Sequence, residues 1–238
     1  MRYLNFINNY DKRPSIIIDK YHDEVYKNYD SIINLLNRQS FRVLALEIYP
    51  NVRLNSVRKI IEGINPDHVI HLDEYVKENL YQQFQYNLTD DRVFGVYSHH
   101  TIADYYEKEI IEKLNEKIKN LKGTVVVYGF GANLIDSDIY IQTSITRWEI
   151  QLRYRQGEGN FLTNQNESDR LIKYKYGYFL EWRIADRIKT ATIDRVDYII
   201  DLNLDEEPIM ISSRAYKFAL EEALRRPFRL VPYFDPGV

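Results

Sequence analysis

RVLALEI, from Arg42 to Ile48, is a nearly continuous apolar run, and nothing else in the 238 residues restricts the fold as much. A strand with one wet face alternates apolar and polar positions, whereas an unbroken run belongs to a strand covered on both faces. Pro50 and Asn51 break it, and NSVRKIIEGI resumes at helical spacing. Short β-rich runs and longer helical patterns alternate in this way along the chain. Strands are expected at SIII (Ser15–Ile18), HVIHLDEY, RVFGVYS (Arg92–Ser98), TVVVYG, DIYIQTS, VDYIID, PIMIS and FRLVPY. Helices are expected in DEVYKNYDSIINLLNR, where Val25, Tyr29, Ile32, Ile33 and Leu36 share a face, and in DYYEKEIIEKLNEKIKNLKG, with Asp104 as cap and Gly123 as stop. Further helices are expected from Thr146 to Arg155, Tyr174 to Ala191 and Ser213 to Arg225. This pattern predicts an α/β domain of three layers, a mostly parallel sheet with helices on both faces.

Composition narrows the class. With 45% apolar and 28% charged residues the chain reads as globular rather than disordered. Its formal charge of −3 gives no global attraction to nucleic acid or anionic membrane, which leaves nucleic-acid binding the least supported role. No apolar stretch approaches the roughly 20 residues that span a bilayer. MRYLNFINNYDKRP lacks the apolar segment of a secretory signal, so a cytoplasmic protein is expected. The absence of cysteine excludes disulfides, thiolate metal sites and a thiol nucleophile. The polar segment QGEGNFLTNQNESD (156–169) is the best candidate for a loop or lid. PYFDPGV looks like a linker, though a natural terminus could look the same; on the linker reading 1–232 is a single domain and 233–238 the start of a connection to a further one.

TVVVYGFGAN poses the chemical question. A β-branched run ends in Gly129 and Gly131, spaced as if to hold a phosphate. A phosphate-binding P-loop needs G-x-x-x-x-G-K-[ST], whose amides surround the phosphates while Lys and the hydroxyl serve charge and magnesium. Ala132, Asn133 and Leu134 supply neither the Lys nor a third Gly, so a tight structural turn suffices to explain the motif. Its amides remain available in principle to a ligand. The turn EIYPNVRLNSV opens a helix where amides and dipole favour an anion. It too lacks glycines and Lys, and Glu47 would repel a phosphate unless paired or bridged by metal.

TRWEIQLRYRQG is the densest functional-looking piece. Arg147, Arg153 and Arg155, leading into a polar lid, suit bidentate clamping of a phosphate. The structural alternative is an exposed helix with a Glu149–Arg153 pair and Trp148 in the core. Arg183 and Arg187, one turn apart, read as a salt-bridged solvent face. Asp73 and Glu74 end an apolar strand, where they would hold magnesium or water, or cap the next element. His68 and His71 are three apart in a strand pattern, which disfavours a shared metal, and no G-x-S-x-G elbow is present.

Strand-turn-helix, an acidic strand end, a long helix, a Gly turn and then DIYIQTS followed by TRWEIQLRYR resemble the uridine kinase and phosphoribulokinase branch of nucleoside kinases. That resemblance implies a nucleoside-kinase-like fold, P-loop NTPase-like without a P-loop. It sets Arg147, Arg153 and Arg155 in the family's arginine-rich segment. The turn at Tyr49–Leu54 lacks the glycines, Lys and Ser/Thr of the kinases, so the kinase reaction is not expected.

A closer resemblance covers nearly the whole chain. LEIYPNV, YGFGANLI, TRWEIQLRYRQGE, KYKYGYFLEWRIADRIK and RRPFRLVPYFDPGV are similar to the N-terminal region of large bacterial proteins classed as class I mannose-6-phosphate isomerases. In that family a cupin barrel follows, carrying zinc and the sugar-phosphate chemistry. The resemblance implies a non-catalytic domain without a cofactor of its own, with zinc in the absent catalytic domain. Its partners would be the C-terminal cupin domain of the same polypeptide and a sugar phosphate or nucleotide. Gly129, Gly131, Arg147, Arg153, Arg155, Asp73, Glu74 and Glu47 are the candidate ligand-binding residues, and no catalytic or metal-ligating residue is expected. The rival expectation is an independent kinase- or hydrolase-like enzyme acting on phosphate esters through Asp73, Glu74, the arginines and magnesium.

Overall fold

A computed structural model describes residues 15–162 and 169–225. The expected strand FRLVPY, the linker and residues 163–168 of the expected lid lie outside the described residues. The chain runs β1 (Val25–Lys27), α1 (Asn28–Arg38), β2 (Val43–Glu47), α2 (Leu54–Ile64), β3 (His68–His71) and the single turn α3 (Gln85–Leu88). α4 (Lys108–Asn120), β4 (Val125–Gly129), β5 (Ile139–Ser144), α5 (Arg147–Arg155) and α6 (Arg170–Tyr176) follow. The last elements are α7 (Trp182–Thr192), β6 (Tyr198–Asp201), β7 (Ile209–Ser212) and α8 (Ser213–Arg225).

The strands form one seven-stranded sheet in the order β1-β7-β6-β5-β2-β4-β3. β3, β4, β2, β5 and β6 are mutually parallel, while β7 pairs antiparallel with both β6 and β1. The path from β2 through α2 to β3 and the return through α4 to β4 run in opposite directions across the sheet. Right-handed crossovers therefore put α2 and α4 on opposite faces. The core alternates accordingly. Leu44, Leu46, Ile141, Ile200 and Met210 belong to the larger cluster, whereas Ala45, Tyr140 and Ile199 pack with Ile211 and Tyr216 in a separate one. Every residue of β2 and β4 is buried, as the unbroken runs require. The domain is three-layered α/β.

Register at the N-terminal ends of the strands is set by three aspartates, each immediately preceding a strand. Asp67 accepts from the Thr124 amide at 2.7 Å, Asp138 from the amides of Arg42 and Val43 at 2.8 Å, and Asp197 from that of Tyr140 at 2.8 Å. Each satisfies amides on the adjoining strand where the ladder begins, and a one-residue slip would orphan them.

Several local expectations need correction. Ser15–Ile18 and Arg92–Ser98 form no strand; the latter is a loop tied down by side chains. Its apolar residues do not build a half-buried face, and Val93 and Phe94 are exposed. The segment from Asp23 gives the short edge strand β1 before the helix starts at Asn28. Asp104 caps a short 3₁₀ turn, in a reciprocal box with Thr101, and α4 starts later at Lys108. Trp148 is 62% exposed, while Trp182 is fully buried. The helical stretch through Tyr174–Ala191 contains a π turn at Gly177–Glu181, where a Cβ on Gly177 would come within 2.7 Å of the Trp182 ring. The missing side chain is what lets the indole seat there.

Candidate functional site

In open parallel sheets ligands gather at the carboxyl ends of the strands, where neighbouring connections diverge in direction. Here that point lies between β2, whose connection leads toward β3, and β5, whose connection leads toward β6. Glu47 ends β2, and the Gly129–Gly131 turn leaves the adjacent β4. Gly131 has φ +108°, and a Cβ there would lie 2.8 Å from Ile102 and 2.9 Å from Tyr106, so only glycine fits.

The amides of this turn are already occupied, and by the protein's own carboxyl groups. Glu47 accepts from Gly131 N–H at 2.7 Å through one oxygen and from Asn133 N–H at 2.9 Å through the other. Asp73 accepts from Phe130 N–H at 2.8 Å. The Tyr140 hydroxyl stands 3.4 Å from Glu47, and the Tyr106 hydroxyl donates to the Phe130 carbonyl. Burial pushes the Glu47 carboxyl up to about 8, against the pull of the two amides and with a further push from Asp73. An incoming phosphate would meet two acidic side chains and no free amide at positions 130, 131 and 133.

Beside this turn, Thr143 links the strand ends by donating to Glu47 O at 3.0 Å and accepting from Tyr49 N–H at 2.8 Å. Lys189 lies 4.4 Å above the Tyr49 ring and 3.2 Å from the Ser144 hydroxyl, with burial holding its amine below the usual lysine range. The cavity between them, about 10 Å³, has room for about one water and no organic ligand.

The predicted site residues divide into separate places. Gly129, Gly131, Glu47 and Asp73 do meet. Glu74 is largely exposed at the rim, 3.7 Å from His71, whose other ring nitrogen is 3.1 Å from Asp73. Arg147 pairs with Asp186 and lies over the Trp182 ring at 5.3 Å. Arg153 is completely buried and fully engaged. It donates to Asn51 O at 2.8 Å, Leu202 O at 3.0 Å and Asn203 O at 3.3 Å, and meets Glu149 at 3.1 Å and Asp205 at 3.4 Å. It joins the β2–α2 turn, α5 and the β6–β7 loop. Arg155 is exposed, 5.7 Å over the Trp148 ring, and lines a separate cleft with Arg92, Gln151, Arg170, Leu171 and Tyr174.

Sequence reasoning missed the polar centre beneath the 156–162 loop. Glu181, on the π turn and fully buried, accepts from Tyr81 Oη at 2.7 Å, Asn160 Nδ2 at 2.9 Å and Phe161 N–H at 3.0 Å. Burial raises its carboxyl to about 7. The available signal was an acidic residue within the apolar sequence YFLEW. Sequence also missed that the basic residues of α6 and α7 hold a loop. Lys175 donates to the carbonyls of Thr89 and Asp91, and Arg187 to those of Ser98 and His100.

None of the curated proteins matches the chain. A family model does match residues 28–225, which take in all the elements described from α1 to α8. The chain therefore belongs to the family described as a domain of unknown function, DUF8485.

Proposed function

We propose that this domain is non-catalytic and binds a phosphorylated ligand on behalf of a larger cytoplasmic protein of the mannose-6-phosphate isomerase class, against whose C-terminal barrel it docks. The parent reaction on this reading interconverts mannose 6-phosphate and fructose 6-phosphate. The observation that carries the non-catalytic part is the occupation of the Gly131 and Asn133 amides by Glu47. Phosphoryl transfer depends on positioning the phosphates and stabilising their charge, and at this turn the amides that a phosphate would need are taken by a carboxyl group of the protein itself. Zinc belongs to the barrel on this reading. Among the described residues no group of three or more His, Asp or Glu side chains is placed to hold a metal. No described helix is long and apolar enough to cross a membrane.

The test is ligand binding and turnover by the same protein. Hexose 6-phosphates are expected to raise its melting temperature, magnesium-ATP is expected to leave it unchanged, and no phosphate ester is expected to be consumed. Phosphotransfer or hydrolysis that disappears in Asp73→Asn would replace this reading with an independent magnesium-dependent enzyme.

A further inference from the structure

Hydrogen-bond partners separate structural cations from available ones. Across α5 to α7, Arg147, Arg153, Lys173, Lys175, Arg183, Arg187 and Lys189 each donate to a carbonyl, carboxylate or hydroxyl within the domain. Arg155 and Arg170 do not. Neither has a hydrogen-bond or ion-pair partner among the described residues, and both line one open cleft of about 720 Å³. Gln151, on the same wall, also has no side-chain hydrogen bond among the described residues. Arg92 approaches from the facing loop, where Nε bonds Asp169 at 3.0 Å and the terminal nitrogens carry no bond among the described residues. Three guanidinium groups therefore converge with one carboxylate, in a chain whose net charge is −3.

The remaining wall is aromatic and aliphatic. Tyr174 stands edge-on to buried Trp182, with centroids 5.4 Å apart at 85°, and stacks on Tyr178 at 6.1 Å and 12°. Leu171 is 43% exposed beside it. A guanidinium fork recognises a phosphate through paired N–H donors, and a fixed ring offers a flat partner to a compact cyclic group. The size falls within the range of small-molecule sites.

The geometry points to this cleft as the binding site for a phosphate monoester of a small ring compound, with Arg155, Arg170 and Arg92 taking the phosphate, Gln151 a hydroxyl, and Tyr174 the ring. This rests on the reading that the domain binds a phosphorylated ligand, and it moves that ligand from the glycine turn to the α5–α6 cleft. The amides at the turn are filled, whereas the Arg155 and Arg170 donors at the cleft have no hydrogen-bond or ion-pair partner among the described residues.

Calorimetric titrations with a hexose 6-phosphate, adenosine monophosphate and inorganic phosphate test it, on wild type, Arg155→Ala, Arg170→Ala and the control Arg58→Ala from the exposed face of α2. Each cleft substitution is expected to weaken the monoester about tenfold, the loss of one charge-assisted contact. The control is expected to bind as wild type does, and inorganic phosphate to bind weakest because it leaves Tyr174 uncovered. Hexose phosphate against adenosine monophosphate then decides which ring Tyr174 takes. Circular dichroism confirms folding of each variant, which substitution at exposed arginines leaves intact. Monoester binding that is equal in all four proteins, or weakened equally by Arg58→Ala, overturns the cleft while sparing the reading above. Wild type that binds no monoester overturns both.

Discussion

Glu47 and Glu181 are buried carboxyls, and burial raises them to about 8 and about 7 from an ordinary value of 4.5. The folded state therefore binds more protons than the unfolded one between about pH 4.5 and these values, and stability must fall as pH rises through that window. Asp67 and Asp138, held below the usual carboxylate range by backbone amides, act in the opposite sense and only in more acid solution. Urea denaturation at a series of pH values is expected to show declining stability from about pH 5 to 8. Glu181→Gln removes one titrating group, so its slope should be shallower; an unchanged slope would remove Glu181 as a source. Arg153 supports a different expectation. Its truncation leaves Glu149 and Asp205 without their buried partner and three carbonyls without a donor. Arg153→Ala is expected to cost about 3–5 kcal/mol of stability by denaturant titration.

Elements in this domain are held by side chains reaching backbone across long sequence distances. The 89–101 loop has no ladder of its own and depends on Lys175 and Arg187, with Ser98 N–H bonded to Phe179 O at 2.8 Å. Arg187→Ala is expected to lower hydrogen-exchange protection at Ser98 by about tenfold while the β2 amides stay protected. At the β4 turn the constraint is steric as well as electrostatic. Gly131→Ala combines a positive φ with close approach to Ile102 and Tyr106, and about 1–3 kcal/mol of destabilisation is expected. Much of this level is absent from the local pattern. RVFGVYS has the composition of a strand but pairs with none, and the loop that carries it is tied at Thr89, Asp91, Ser98 and His100 by cations some 84–89 positions later in the chain.

At the scale of the whole molecule one continuous sheet joins β1, near the start of the described residues, to β7, near their end. Buried Trp182 packs with the larger core cluster. Its fluorescence and far-ultraviolet circular dichroism are therefore expected to change together in a single cooperative transition; separate transitions would divide the domain. The unbroken runs of β2 and β4, the helical stripes between strands and the aspartates ahead of β3, β5 and β6 were all present in the primary structure. They determine a three-layered α/β domain because burial pattern and backbone satisfaction are local properties of each segment. The partner of each charge was not determined locally. Arg147, Arg153 and Arg155 lie within nine residues and read alike in sequence, yet one is paired at the surface, one is buried against three carbonyls and one is open to a cleft. The glycine turn likewise read as a tight turn whose amides were available to a ligand, and their occupant, Glu47, stands 84 positions before Gly131. Only the packing of β2 beside β4 brings that carboxyl to those amides, because the energy of a charge depends on what surrounds it in space rather than in sequence.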